Sequence, residues 1–431
     1  MKNWKEQYQH KIVSAVQAAQ QVKSGDRVVI GHACGEPQAL VEALVKRSSG
    51  VQDVEIVHMV AMGKAEYAQP GMEKSFRHNA LFVGGTTRKA VEEKRADFTP
   101  CFFSEIPRLF KENLLPVDVA LIQVTPPDEK GFCSYGVSAD YTKTAAECAG
   151  LVIAQVNQHL PYTGGERIHL DDIDFIVEQD EPLIELKPPK IGDIEKAIGE
   201  NVAGLIPNGA TLQLGIGAIP DAVLLFLTDK KDLGIHSEMF SDGVVALAEK
   251  GVITNRKKTI HPGKFMATFL MGTKRLYDFV NHNPAVELHS VDYINDPWII
   301  GQHENMMSIN SALQVNLMGE VNAEMIGRRQ FSGVGGQVDF IRGASRSLHG
   351  KSIIALPSTA SGGKISRIVC ELDRGAAVTT SRNDVHYVVT EYGVANLRGR
   401  SLGERARELI GISHPDFRDS LTREAVEKGL L

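Results

Sequence analysis

The chain has 431 residues, 43% of them hydrophobic and 23% charged, with a formal net charge of −6. That length allows two or three domains with substantial cores, and with no basic run denser than "NRKK" (255–258) the composition argues against a nucleic-acid partner. Five scattered cysteines (Cys34, Cys101, Cys133, Cys148, Cys370) form no CxxC pair and predict free thiols rather than a metal site; no stretch of about 18 apolar residues occurs, so a cytoplasmic protein without a membrane span is expected.

The first segment, "MKNWKEQYQHKIVSAVQAAQQV", has the spacing of an amphipathic helix and lacks the apolar stretch of a signal peptide. "SGDRVVIGHACGEPQALVEAL" (24–44) then reads as strand, glycine turn and helix, with Pro37 near the helix start. "VEIVHM" (54–59) is a second strand; His58 at its end is expected to be an ordinary polar strand-end residue. The Pro- and charge-rich "EQDEPLIELKPPKIGD" (178–193) predicts a domain junction.

Beyond it, "NGATLQLGIGAIPDAVLLFL" (208–227) repeats the earlier order of turn glycine, strand, glycine, loop, proline and helix. The spacing between the copies is the same at the glycines (Gly25 to Gly209, Gly31 to Gly215) and one residue shorter at the prolines (Pro37 to Pro220). Either the chain is a duplication, or both halves share the punctuation common to α/β proteins. Both readings predict an α/β fold: two similar open domains, residues 1–190 and 191–431, with mostly parallel sheets and helices on both faces.

"ATLQL" (210–214), "PDAVLLFLTDK" (220–230) and "LGIH" (233–236) form a predicted strand–helix–strand unit with parallel strands. Their carboxyl ends share one edge of the sheet, where open α/β sheets bind ligands. Gly215 to Gly217 lie at one strand end and Glu238 at the other. Three readings of Glu238 stay open on these residues: a reacting carboxylate, a structural acid, or the ribose-binding acid of a dinucleotide fingerprint. The last is weakened by Pro220, which stands where that fingerprint needs a third glycine.

Three glycine-rich loops follow: "FSGVGGQVDF" (331–340), "LPSTASGGKISRIV" (356–369) and "TEYGVANLRGRS" (390–401). Each is either a tight turn or part of a shared ligand site, since glycine lets backbone N–H groups approach a ligand. Together with "GIG", "SEMFSDG", "YINDP" and "INSAL", these motifs resemble the acetyl-CoA hydrolase/transferase family of CoA-transferases over essentially the whole chain, and within it the enzymes acting on 4-hydroxybutyryl-CoA and butyryl-CoA.

The resemblance implies two CoA-transferase-type α/β domains and transfer of CoA between a short-chain acyl-CoA and a free acid such as acetate. It implies Glu238 as the catalytic carboxylate, Asn295 as the amide that positions the thioester carbonyl, and the Gly336 N–H as an oxyanion donor. It further implies that Gln213, Leu214, Gly215, Ile216 and Gly217, with Leu313, Gly336 and Ser361, contact coenzyme A, which is a substrate; no cofactor or metal is expected. Glu391 falls in a family motif without an assigned role. The expected partners are CoA thioesters and carboxylic acids, not nucleic acid or membrane, and a homodimer is the expected assembly. Acyl-CoA hydrolysis and non-catalytic CoA or nucleotide sensing are the alternatives.

Overall fold

The computed structural model describes residues 4–431. The chain divides into two compact units: one comprises the residues up to Leu186 together with Met266–Ile294, the other Lys187–Phe265 and Asn295–Leu431. No helix among the described residues is long and apolar enough to cross a membrane.

The first unit is built on a seven-stranded sheet in the order Phe175–Glu178, Leu151–Val156, Val119–Val124, Arg27–Ile30, Val54–His58, Phe76–Ala80, Ala96–Phe98. Every adjacent pair is parallel. All six residues of Val119–Val124 are buried, the pattern of a central strand covered on both faces. The Gln38–Lys46 helix buries Leu40, Val41, Ala43, Leu44 and Val45, placing its apolar stripe in the same core as Val28, Ile30 and Ile56.

In the second unit the strands run Met239–Phe240, Thr211–Leu214, Met306–Ser311, Lys351–Ala355, Tyr387–Thr390, Gly393–Asn396, with Gly234–Ile235 beside Thr211–Leu214. The four central strands are mutually parallel. Met239–Phe240 and Gly393–Asn396 run antiparallel to their neighbours. Parallel pairing needs crossovers, and the Ala218–Leu225 and Gln337–Arg346 helices supply two of them.

Both copies of the repeated motif form the expected parallel strand–helix–strand unit, Arg27–Ile30 with Val54–His58 and Thr211–Leu214 with Gly234–Ile235. The second helix spans Ala218–Leu225 rather than 220–230, so Pro220 sits in its first turn, where a missing N–H costs little. The amino-terminal segment departs further from expectation. Met1–Asn3 lie outside the described residues, and the rest forms two short α-helices, Trp4–Gln7 and Ala15–Ala19, with a 3-10 turn at Gln9–Lys11. Between them Val13 donates its N–H to Ile176 O, so the chain is extended along the Phe175–Glu178 strand before Ser14 caps the second helix.

The division into 1–190 and 191–431 also needs amendment. The change of unit falls between Leu186 and Lys187, inside the Pro- and charge-rich stretch, but Met266–Ile294 packs with the first unit. The cause is pairing that only the folded chain provides: Glu287 and Leu288 run parallel to Gly164 and Gly165, Ala139 donates to Thr268 O, and the Tyr277 hydroxyl donates to Ile184 O.

Candidate active site

The carboxyl ends of the parallel strands in the second unit carry the polar and glycine-rich residues singled out in the sequence. Thr211–Leu214 leads to Gly215, Gly234–Ile235 to Glu238, Met306–Ser311 to Leu313, Lys351–Ala355 to Ser358, and Tyr387–Thr390 to Glu391. Leu214 lies opposite Met239 in an antiparallel pair, so continuing the register by one residue sets Gly215 opposite Glu238. The turn that reverses the chain between the parallel Gly234–Ile235 and antiparallel Met239–Phe240 strands therefore presents Glu238 at the sheet edge. The Ser237 hydroxyl secures this turn, accepting from Leu214 N–H and facing Leu214 O, both at 3.3 Å.

Glu238 is half-buried, and the Asn295 amide donates to its Oε2 at 2.9 Å. Asn295 itself is fully buried, and its Oδ1 has no hydrogen-bond partner. A Cβ at position 336 would come within 2.0 Å of Oε2 of Glu238 and 2.3 Å of Nδ2 of Asn295, so any side chain there displaces one or both groups. Gly336 is also the N-cap of the ten-residue Gln337–Arg346 helix, which brings the positive end of that helix to the carboxylate. Glu238, Asn295 and Gly336, far apart in sequence, thus form one cluster: a carboxylate, an amide donor and a helix start.

The remaining predicted contacts separate into accessible and inaccessible groups. Gly215, Ile216 and Gly217 line an open loop, with Ile216 50% exposed and Gly217 at φ +118°. Gln213 and Leu214 are buried. The Gln213 side chain is occupied within the sheet: its Oε1 accepts from the Ser308 hydroxyl at 2.8 Å and the Asn310 amide at 3.0 Å. Leu313 is partly exposed, and Ser361 is exposed at the tip of the hairpin formed by Thr359–Ala360 and Ile365–Ser366.

Glu391, without a role in the sequence reading, holds the base of that hairpin: its two oxygens accept from the Ser358 N–H at 2.8 Å and the Ser358 hydroxyl at 2.6 Å. Arg367, just beyond the hairpin, has a buried Nε without a hydrogen-bond partner, and burial lowers the pKa of its guanidinium while Glu391 opposes the shift. The sequence does carry a signal for the Gln213 network: Ser308 and Asn310, two apart on one strand, put polar groups on the same face, while Met307 and Ile309 face the other way. In the first unit, His58 does end its strand, but it is fully buried with Nδ1 3.0 Å from the Tyr67 hydroxyl, and burial holds its pKa well below the usual histidine range.

Comparison with known proteins agrees with this architecture. Residues 1–186 match the acetyl-CoA hydrolase/transferase N-terminal domain and residues 272–425 the corresponding C-terminal domain. The chain is 65% identical to a 4-hydroxybutyrate coenzyme A transferase of Clostridium kluyveri, covering 98% of each chain. It is 40% identical to a butyryl-CoA:acetate CoA-transferase of Anaerostipes caccae, covering 98% of this chain and 97% of that one. A crystal structure of 4-hydroxybutyrate CoA-transferase from Porphyromonas gingivalis superposes with a TM-score of 0.86 at 45% identity, covering 99% of this chain and 100% of that one. The chain belongs to the acetyl-CoA hydrolase/transferase family.

Proposed function

We propose that this chain, a CoA-transferase by its family, moves CoA from a short-chain acyl-CoA of the butyryl or 4-hydroxybutyryl class to a free carboxylic acid such as acetate, with Glu238 as the nucleophile. The observation that carries the reading is a half-buried carboxylate set against an amide donor and a helix start, at a glycine where a side chain would displace them.

A carboxylate suits this chemistry because it can hold an acyl group and return it. Glu238 attacks the acyl-CoA carbonyl; the carbon–sulfur bond breaks, giving a mixed anhydride and CoA thiolate. The thiolate then attacks the glutamyl carbonyl, the first acid leaves as its carboxylate, and a glutamyl-CoA thioester remains. The incoming acid runs the same two steps in reverse, a ping-pong sequence with a covalent intermediate.

Two different oxygens become negative along this path. One is the substrate's carbonyl oxygen; the other is the carbonyl oxygen of Glu238 itself. The hydrogen bond from Asn295 to Oε2 supports assigning this amide to the second. The position of Gly336 at the start of a helix beside Glu238 supports assigning its backbone N–H to the first. A single such donor contributes about 3 kcal/mol to an oxyanion transition state. Gly215 to Gly217, Leu313 and the Ser361 hairpin surround the same sheet edge and are the surfaces we assign to CoA; Gln213 and Leu214 contribute only by holding the strand that leads to this loop.

The test is covalent. After incubation with butyryl-CoA without an acceptor, digestion and mass mapping should place a CoA adduct on Glu238, and Glu238→Ala should abolish both adduct and transfer. An adduct elsewhere, or none in active enzyme, overturns the assignment. Release of CoA that proceeds equally fast with and without acetate would instead make the chain a hydrolase.

A further inference from the structure

The short strand that delivers Glu238 is held in an unusual way. Gly234 donates to Ala210 O at 2.9 Å and His236 to Leu212 O at 3.2 Å, so these two residues bond toward the Thr211–Leu214 strand. Because bonding direction alternates along a strand, the N–H and C=O of Ile235 point to the other side. Among the described residues no strand pairs with them there. The returning chain bridges only Leu233, which pairs with Ile253. At Ile235 two side chains take over: Asn255 Oδ1 accepts from the Ile235 N–H at 2.8 Å, and Lys258 Nζ donates to Ile235 O at 2.7 Å and to Lys264 O at 2.6 Å.

Both residues are built into the interior. Asn255 is fully buried at φ +58°, a conformation that asparagine and aspartate tolerate better than other side chains. Lys258, the last residue of the basic run 255–258, is 4% exposed. Its stem lies against Gly234, where a Cβ would come within 2.5 Å of Lys258 Cγ. The next residue is fixed from a further direction: the His236 ring is 4.6 Å from that of His303 and 6.3 Å from that of Phe340, which lies one turn into the helix that begins after Gly336.

Burying an ammonium is costly even when it is hydrogen-bonded, and an apolar side chain would fill the same space more cheaply. What Lys258 and Asn255 provide together is a grip on both backbone polar groups of one residue, Ile235, three positions before Glu238. We infer that Asn255 and Lys258 are positioning residues that set the approach of the Glu238 carboxylate to the thioester carbon. The inference rests on Glu238 being the nucleophile.

A displacement of about 1 Å at a reacting group can cost roughly 100-fold in rate. Asn255→Ala and Lys258→Met should therefore each lower kcat about 100-fold while KM for acyl-CoA stays within about threefold, because the groups assigned to CoA are untouched. Asn255→Asp keeps an acceptor for the Ile235 N–H and tolerates the backbone conformation; it should retain kcat within about fivefold of wild type. Each variant is compared per folded molecule, using circular dichroism and melting temperature, and the rate of glutamyl-CoA formation is followed by rapid quench and mass spectrometry. Wild-type kcat in folded Asn255→Ala, equal losses in Asn255→Ala and Asn255→Asp, or losses confined to KM would overturn the inference. If Lys258→Met does not fold, the two Asn255 variants decide. The wild-type adduct map separates the two levels. An adduct absent from Glu238 defeats the mechanism, whereas an adduct on Glu238 formed at an unchanged rate in the variants defeats only the positioning role.

Discussion

The glycine at 336 is dictated by crowding rather than by backbone conformation. Its φ is −95°, which any residue adopts, yet a methyl group there would occupy the space of the Glu238 carboxylate and the Asn295 amide. Gly336→Ala should therefore fold, since the Gln337–Arg346 helix needs no glycine at its start, but should lose at least about 100-fold in kcat, the loss typical of one displaced oxyanion donor. Steady-state kinetics on protein of unchanged melting temperature checks this; near-normal turnover would remove Gly336 from the site. In the sequence this residue stands in a glycine-rich loop, and the family resemblance implies its N–H as an oxyanion donor. Why glycine is needed became clear only when Glu238 and Asn295, distant in the chain, were brought against it.

At the scale of elements, the exposed hairpin carrying Ser361 is short and held at its base by one carboxylate. Glu391 takes both the N–H and the hydroxyl of Ser358, fixing where the hairpin leaves the sheet. Glu391→Ala should loosen it: amide exchange at 358–366 should quicken, and KM for acyl-CoA should rise about tenfold while kcat changes less, since the loss of a hydrogen bond to a charged group costs about 1.5 to 3 kcal/mol. An unchanged KM with faster exchange would separate the hairpin from CoA binding. The elements themselves were largely legible. Strand, glycine turn and helix at 24–44 and 208–227 carry strong local punctuation, and parallel strands follow from the crossover length. Side-chain direction was not legible. Gln213 stands beside the loop the family resemblance assigns to CoA, yet its amide turns into the sheet toward Ser308 and Asn310. Lys258 lies in a basic run, yet its ammonium is interior.

For the molecule as a whole, buried titratable groups set opposing responses to pH. Burial raises the Glu36 carboxyl to about 7, although the N–H groups of Gly63 and Met62 oppose the shift. The folded state thus holds a proton that the unfolded chain releases above its ordinary value of 4.5, so this contribution to stability is present at low pH and is lost as pH rises from about 4.5 to 7. A shift of that size corresponds to about 3 kcal/mol. Burial lowers His78 to about 4, which acts oppositely: its contribution is present above the unfolded value of 6.5 and is lost as pH falls toward 4. Denaturant unfolding between pH 5 and 8 should show Glu36→Gln losing less stability than wild type as pH rises; parallel curves would mean that Glu36 is ionised throughout.

The chain's return to the first unit through Met266–Ile294 governs how the gene can be divided. A cut in the Pro- and charge-rich stretch looks harmless in the sequence, but it would leave each fragment wrong. The amino-terminal piece would lack the segment that completes its fold. The carboxyl-terminal piece would carry that segment with Met266, Leu276, Val280, Val286 and Val291, all buried in the whole protein, stripped of the surroundings provided by the first 186 residues. Expressed alone, residues 187–431 should be insoluble or bind a hydrophobic dye, and co-expression with residues 1–186 should restore soluble protein. A soluble, cooperatively melting 187–431 fragment would show that the segment can be accommodated without its partner sequence.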